Sequence, residues 1–136
     1  CLTSNNSAKD IQFIGDNKSK VYQKVSDLAD KLNMNNNIGL VVGATKPELM
    51  KGLRSSNRLP WLIPGIGAQL GALEKSVQYG IDESGRNVII SASRSIIYAG
   101  NNSDDYQTQI RNEALKLRDR INEILTEFDK PWTEIP

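Results

Sequence analysis

The feature that most constrains this chain is an alternation of two hydrophobic periods. Short apolar runs rich in β-branched residues occur at residues 38–44, at Trp61-Leu62-Ile63 and at Val88-Ile89-Ile90. Between them lie segments with helical spacing: Val21, Val25, Leu28, Ala29 and Leu32, then Leu49, Met50 and Leu53, then Leu73, Val77 and Ile81. A last, longer helical segment carries Ile110, Leu117, Ile121, Leu125 and Phe128 on one face. The opening Cys1-Leu2-Thr3-Ser4-Asn5 reads as the end of a further strand running into a polar turn. Successive strands lie about 25 residues apart, the length a helical crossover between parallel strands requires. The runs are apolar throughout, so the expected sheet is parallel and covered on both faces.

Right-handed crossovers place every strand's C-terminal end on one side. The chemically informative residues fall there: Ser4 and Asn5, Thr45, residues 64–69, and Ser93 with Arg94. That clustering fits either the rim of a βα-barrel or the crevice of an open sheet. A (β/α)8 barrel takes about 250 residues, and 136 residues supply roughly half of one. The expected fold is therefore α/β, the C-terminal half of a (β/α)8 TIM barrel, with residues 1–136 forming one domain portion.

Composition removes many chemistries. Hydrophobic residues at 38% and charged residues at 24% fit a soluble globular chain. A net charge of +1 gives no footprint for nucleic acid or an anionic membrane. The longest clean apolar run, Ile38-Gly39-Leu40-Val41-Val42, is far short of a membrane span, and the first residues show no secretory signal. One cysteine leaves no internal disulfide or Cys-cluster zinc site, and the absence of histidine removes His-based triads and metal sites. A cytoplasmic location is the default expectation.

Two motifs carry the functional reading. In Pro64-Gly65-Ile66-Gly67-Ala68-Gln69 the glycines permit positive φ or a close approach of backbone to ligand, and Gln69 would offer an amide. A plain turn explains the same glycines. The third glycine, Gly71, is one residue off the dinucleotide-binding spacing. In Ser91-Ala92-Ser93-Arg94-Ser95-Ile96-Ile97-Tyr98, a helix start beside an arginine suits phosphate, because the guanidinium can grip two oxygens. Pairing of Arg94 with a neighbouring carboxylate is the alternative. Elsewhere, Thr45-Lys46-Pro47-Glu48 reads as a Thr-capped helix start and Gly80 as a helix stop. Asp104-Asp105 reads as the start of the last helix, and Lys116-Leu117-Arg118-Asp119-Arg120 as a solvated face. Trp61 and Trp132 are assigned to packing, and Pro131 and Pro136 bracket a non-helical tail.

Four motifs in order resemble orotidine 5′-phosphate decarboxylase of the longer bacterial type. They are Thr3-Ser4-Asn5; Val41-Val42-Gly43-Ala44-Thr45 with Pro47-Glu48-Leu49; Leu62-Ile63-Pro64-Gly65-Ile66-Gly67-Ala68-Gln69; and Ser93-Arg94-Ser95-Ile96-Ile97-Tyr98-Ala99. The resemblance runs from the fifth barrel strand through the eighth helix. It implies conversion of orotidine 5′-monophosphate to uridine 5′-monophosphate and CO2 without metal or organic cofactor, in a homodimer. It also implies that Ser4 contacts the pyrimidine, Pro64 lines the ring pocket, and Gln69 closes over the ligand and reaches the phosphate. Arg94 and Ser93 would hold the phosphate. Leu70 stands where the family usually has glycine. The family's catalytic Asp-x-Lys-x-x-Asp array is absent from these residues, and neither Lys46 nor Lys51 sits in such a motif. The implied role is a phosphate- and pyrimidine-binding half that needs an N-terminal barrel half as partner and is inactive alone.

Three other readings compete. Another phosphate-sugar barrel would share the phosphate motif. A non-catalytic phosphate-binding half could pair with a separate chain. Cys1 as a processed N-terminal nucleophile is opposed by the βα alternation, since such hydrolases use layered antiparallel sheets.

Overall fold

The computed structural model describes residues 1–3, 8–16, 19–67, 70–101 and 104–132, without the side chains of residues 70–72. The elements run α1 (Lys9–Gln12), α2 (Val21–Leu32), β1 (Leu40–Val41), α3 (Pro47–Ser56), β2 (Trp61–Pro64), α4 (Leu70–Gly80), β3 (Val88–Ser91), α5 (Arg94–Ile97) and α6 (Tyr106–Glu127). Strand order is β1-β2-β3, and both pairings are parallel.

The first predicted strand takes a fourth place beside β1. The N–H groups of Leu40, Val42 and Ala44 donate to the carbonyls of Pro60, Leu62 and Pro64 on the β2 side. On the other side, Leu2 N–H donates to Val41 O at 2.8 Å, and Gly43 N–H donates to Thr3 O at 3.0 Å. Gly43 N–H also reaches Thr3 Oγ1 at 2.9 Å. Thr3 pairs with Val42 as a parallel bridge, so four chain segments lie side by side in sequence order.

The core lies on one face of this sheet. Trp61 and Ile63 point from β2 into it, joined by Leu40 and Val42, by Met50 and Leu53 of α3, by Leu73 and Val77 of α4, and by Ile124 and Leu125 of α6. Gly80 allows α4 to approach, since a Cβ there would lie 2.6 Å from Ile63 Cδ1. On the opposite face the register aligns Val41, Leu62 and Ile89 in one row. Leu62 is 37% and Ile89 64% exposed. The expectation of a sheet covered on both faces is thus corrected. Helices cover one face, and the row that a full barrel would enclose is open.

Helix boundaries follow local chemistry. In α2, Gln23 Oε1 accepts the Lys20 N–H at 2.8 Å, closing the first turn. In α3, Pro47 takes the first helical position and Lys46 the cap, so Thr45 is not the cap as expected. Proline holds its preceding residue extended, which places the boundary at Lys46. α4 begins at Leu70, and α6 begins after Asp105, as the sequence suggested; the helical row Leu73, Val77 and Ile81 runs through α4 to the residue after it.

The expected inner face of α2 is also corrected. Ser26 is buried, with Tyr22 and Ala29 packed against the core, whereas Val25, Leu28 and Leu32 are exposed. Asn57 Nδ2 donates to Ser26 Oγ at 3.0 Å, and Asn57 Oδ1 accepts Leu59 N–H at 2.8 Å. A small hydroxyl with a buried amide partner lets α2 seat closely against the end of α3.

Trp61 is fully buried, but Trp132 is 57% exposed, with Arg86 6.0 Å over its ring. The packing role expected for Trp132 is not found among the described residues, because more than half of its surface faces solvent. The solvated face of α6 carries the pairs Lys116–Glu113, Arg118–Asp119 and Arg120–Glu123. Among the described residues, no helix is long and apolar enough to cross a membrane.

Candidate functional site

The parallel register brings the strand ends together. Pro64 pairs with Ser91, and Pro64 O accepts the Ala44 N–H at 3.1 Å. The C-terminal ends of β1, β2 and β3 therefore form one row, with the segments after them on the same side.

Beyond β2, Gly65 has φ +92°, a region that L side chains rarely enter. Its added Cβ would lie 4.0 Å from the Ala44 Cβ, so the turn sits against the neighbouring strand end. Ile66 is buried and anchors the loop in the core. Gly67 differs: it is exposed, its φ is not positive, and a Cβ there would meet nothing within 4 Å. Among the described residues of the loop, Gly65 is the one whose conformation requires glycine.

Beyond β3, Ala92 packs against the core and Ser93 opens α5. Ser93 O accepts the N–H groups of Ile96 and Ile97, at 3.2 and 2.8 Å. Ser93 and Arg94 are both exposed. Arg94 forms no ion pair with a described residue, so the carboxylate pairing considered from sequence is not found among them. Pro64, Ser93 and Arg94 thus share one end of adjacent strands. Ser4 and Gln69 fall outside the described residues, as do Asn5, Ala68 and Pro136.

A contact that the sequence did not suggest lies after β1. Lys46 Nζ sits 4.3 Å over the Phe13 ring, and Phe13 meets Tyr22 edge to face at 5.7 Å. These residues are far apart in sequence, and no periodicity or motif links them. Among the described residues, no cluster of His, Cys, Asp or Glu could hold a metal ion.

The opposite pole is built differently. Arg54 lies 3.8 Å over the Trp61 ring and donates to Gly80 O and Leu59 O at 2.8 and 2.9 Å. It also reaches Asn87 O at 3.3 Å. Burial lowers its pKa to about 10, opposed by attraction to Asp82, so it stays charged at neutral pH. Asp82 feels partial burial, which raises its pKa. Hydrogen bonds from Ser84, Arg86 and Asn87 outweigh that and hold the carboxyl below its usual range. A broad groove of about 1050 Å³ runs past Arg54 and Asp82 at this pole. A smaller one of about 450 Å³ lies between α2 and α3. Neither groove is lined by Gly65–Gly67 directly after β2 or by Ala92–Arg94 directly after β3.

No protein-family model matches the chain. It is 44% identical over 124 residues to an orotidine 5′-phosphate decarboxylase of Cellvibrio japonicus, covering 90% of this chain and 45% of that protein. The chain spans about half the length of the curated relatives it matches. Among solved structures it is similar to Leishmania donovani UMP synthase, with a TM-score of 0.70 and 31% identity over 88% of this chain and 26% of that one. It is also similar to Leishmania donovani OMP decarboxylase, with a TM-score of 0.67 and 28% identity over 86% and 45% of the two chains. The motif resemblance thus extends over most of the chain, and the fold is the α/β half-barrel that the strand–helix alternation predicts.

Proposed function

We propose that this chain is the phosphate- and pyrimidine-binding half of an orotidine 5′-phosphate decarboxylase, and that residues 1–136 are the C-terminal portion of its barrel domain. The observation that carries the reading is 44% identity to such an enzyme over 90% of the chain. The row of strand ends that gathers Pro64, Ser93 and Arg94 supports it.

In this reading Arg94 and Ser93 take the phosphate of orotidine 5′-monophosphate. An exposed guanidinium with no carboxylate partner among the described residues is free to grip two phosphate oxygens. Pro64 lines the ring pocket, Ser4 hydrogen-bonds the pyrimidine, and Gln69 closes over the ligand toward the phosphate. Binding the remote phosphate orients the reacting ring, so its energy serves the chemical step. The Asp-x-Lys-x-x-Asp array that would protonate the ring carbon after CO2 departs is not in this sequence. The chain acts with an N-terminal half, in a cytoplasmic homodimer, and is inactive alone.

Intact mass and N-terminal sequencing of the protein from its native source come first, followed by an orotidine 5′-monophosphate decarboxylation assay on the same sample. A mass near twice 15.1 kDa with decarboxylation is the expected result. A full-length protein that binds uridine 5′-monophosphate but releases no CO2 would favour a different phosphate-sugar barrel.

A further inference from the structure

The start of α3 breaks a local rule. Helix caps favour Ser, Thr, Asp or Asn, and the positive end of a helix disfavours a cation. Lys46 nevertheless takes the cap of α3 and makes no capping hydrogen bond through its side chain. It forms no ion pair with a described residue. Sequences break local rules of this kind mainly at functional or strained sites.

What Lys46 meets is the ring of Phe13, 4.3 Å from Nζ to its centre. Phe13 follows α1, in the segment that leads from the first strand to α2. That segment is tied within its own unit by the edge contact of Phe13 with Tyr22 at 5.7 Å. The Val21 N–H also donates to Ile14 O at 2.8 Å, and Gln12 is buried. Lys46 adds a tie to the next unit, at the pole where the strands end.

The strand ends stand in the order first strand, β1, β2, β3. The Lys46–Phe13 contact joins the segments that follow the first two, whereas Arg94 follows the last. Neighbouring strands are about 4.8 Å apart. The contact and the arginine therefore occupy opposite ends of the row.

We infer that Lys46 is a positioning residue for the base of the nucleotide: seated on Phe13, it holds the segment after the first strand against the start of α3. The inference deepens the decarboxylase reading and rests on it, because that reading gives Ser4, in the same segment, to the pyrimidine. Without the contact the segment spends less time in the binding-competent arrangement, and the apparent affinity falls by that fraction. An exposed cation–π contact corresponds to an effect of about two- to fivefold.

The test uses the full-length native polypeptide and compares Lys46→Met, Lys46→Arg, Phe13→Leu and the double variant Lys46→Met with Phe13→Leu. In Lys46→Met, the KM for orotidine 5′-monophosphate and the inhibition constant of uridine 5′-monophosphate should rise about two- to fivefold, with kcat unchanged. The inhibition constant of ribose 5-phosphate, which lacks the base, should stay at the parent's value. Lys46→Arg, which keeps a cation for the ring, should behave as the parent, and the double variant should bind no more weakly than Phe13→Leu. Equal weakening of ribose 5-phosphate overturns the proposal, as do additive losses in the double variant. A lowered melting midpoint with unchanged affinity for the base assigns the contact to stability alone and overturns it too. An active parent whose Lys46→Met variant keeps every constant refutes the positioning role and leaves the enzyme reading standing. A parent that releases no CO2 refutes the enzyme reading. Amide exchange over residues 8–16, faster in Lys46→Met if the contact holds the segment, then decides the contact by itself.

Discussion

Two arginines at opposite poles have different surroundings. Arg94 is exposed at the start of α5, whereas Arg54 is held under the sheet by carbonyls from the ends of α4, β2 and β3. In the full-length protein, Arg94→Ala is expected to weaken uridine 5′-monophosphate binding by about 1.5–3 kcal/mol, the range for hydrogen bonds to a charged group, while thermal stability stays unchanged. Calorimetric titration checks the first and a melting curve the second. Arg54→Ala should do the reverse, costing about 3 kcal/mol in denaturant unfolding as its carbonyl acceptors and Trp61 lose their partner. Asp82 adds a pH dependence. Its folded pKa lies below the ordinary 3.8, so the unfolded chain binds more protons and stability rises with pH through that window. The contribution is complete above the ordinary value and is lost as the pH falls through the folded one. Unfolding followed from pH 6 to pH 2 should show Asp82→Asn with a shallower acid decline than the parent.

At the level of elements, helix positions were legible because apolar spacing and capping residues are local. α6 begins where Asp105 suggested, and Gly80 ends α4. The cap of α3 moved by one residue because Pro47 dictates the conformation before it. The orientation of α2 was not legible. Its apolar row predicts burial, yet Ser26 faces inward because Asn57, on another element, supplies its partner. No local pattern encodes a buried hydroxyl–amide pair formed across 31 positions. Asn57→Ala should therefore cost about 1–3 kcal/mol, since it strands the Ser26 hydroxyl and the Leu59 N–H. Denaturant unfolding measures this. Of the candidate site, Pro64, Ser93 and Arg94 were found on adjacent strand ends because parallel βα topology fixes that placement in advance.

For the whole molecule, the sheet has one covered face and one open one. The strands read as apolar throughout, which predicts two covered faces, and no local pattern tells which face these helices leave open. Leu62 and Ile89 expose a contiguous apolar row, and such rows drive association. The isolated chain is expected to grow in apparent size with concentration in light scattering, and Ile89→Lys to suppress that growth. In the full-length protein the same substitution should be strongly destabilising, because it buries a charge in the barrel interior.

That row also bears on traffic. Val41, Leu62 and Ile89 are bulky and apolar at mid-sheet, and interior layers of this kind fill a barrel rather than perforate it. A closed barrel built on them has no rear exit. In the decarboxylase proposed above, the nucleotide would arrive through the mouth above Pro64 and Arg94, and both the decarboxylated nucleotide and the CO2 would leave by that same opening. Whatever closes over the mouth therefore times entry and departure together.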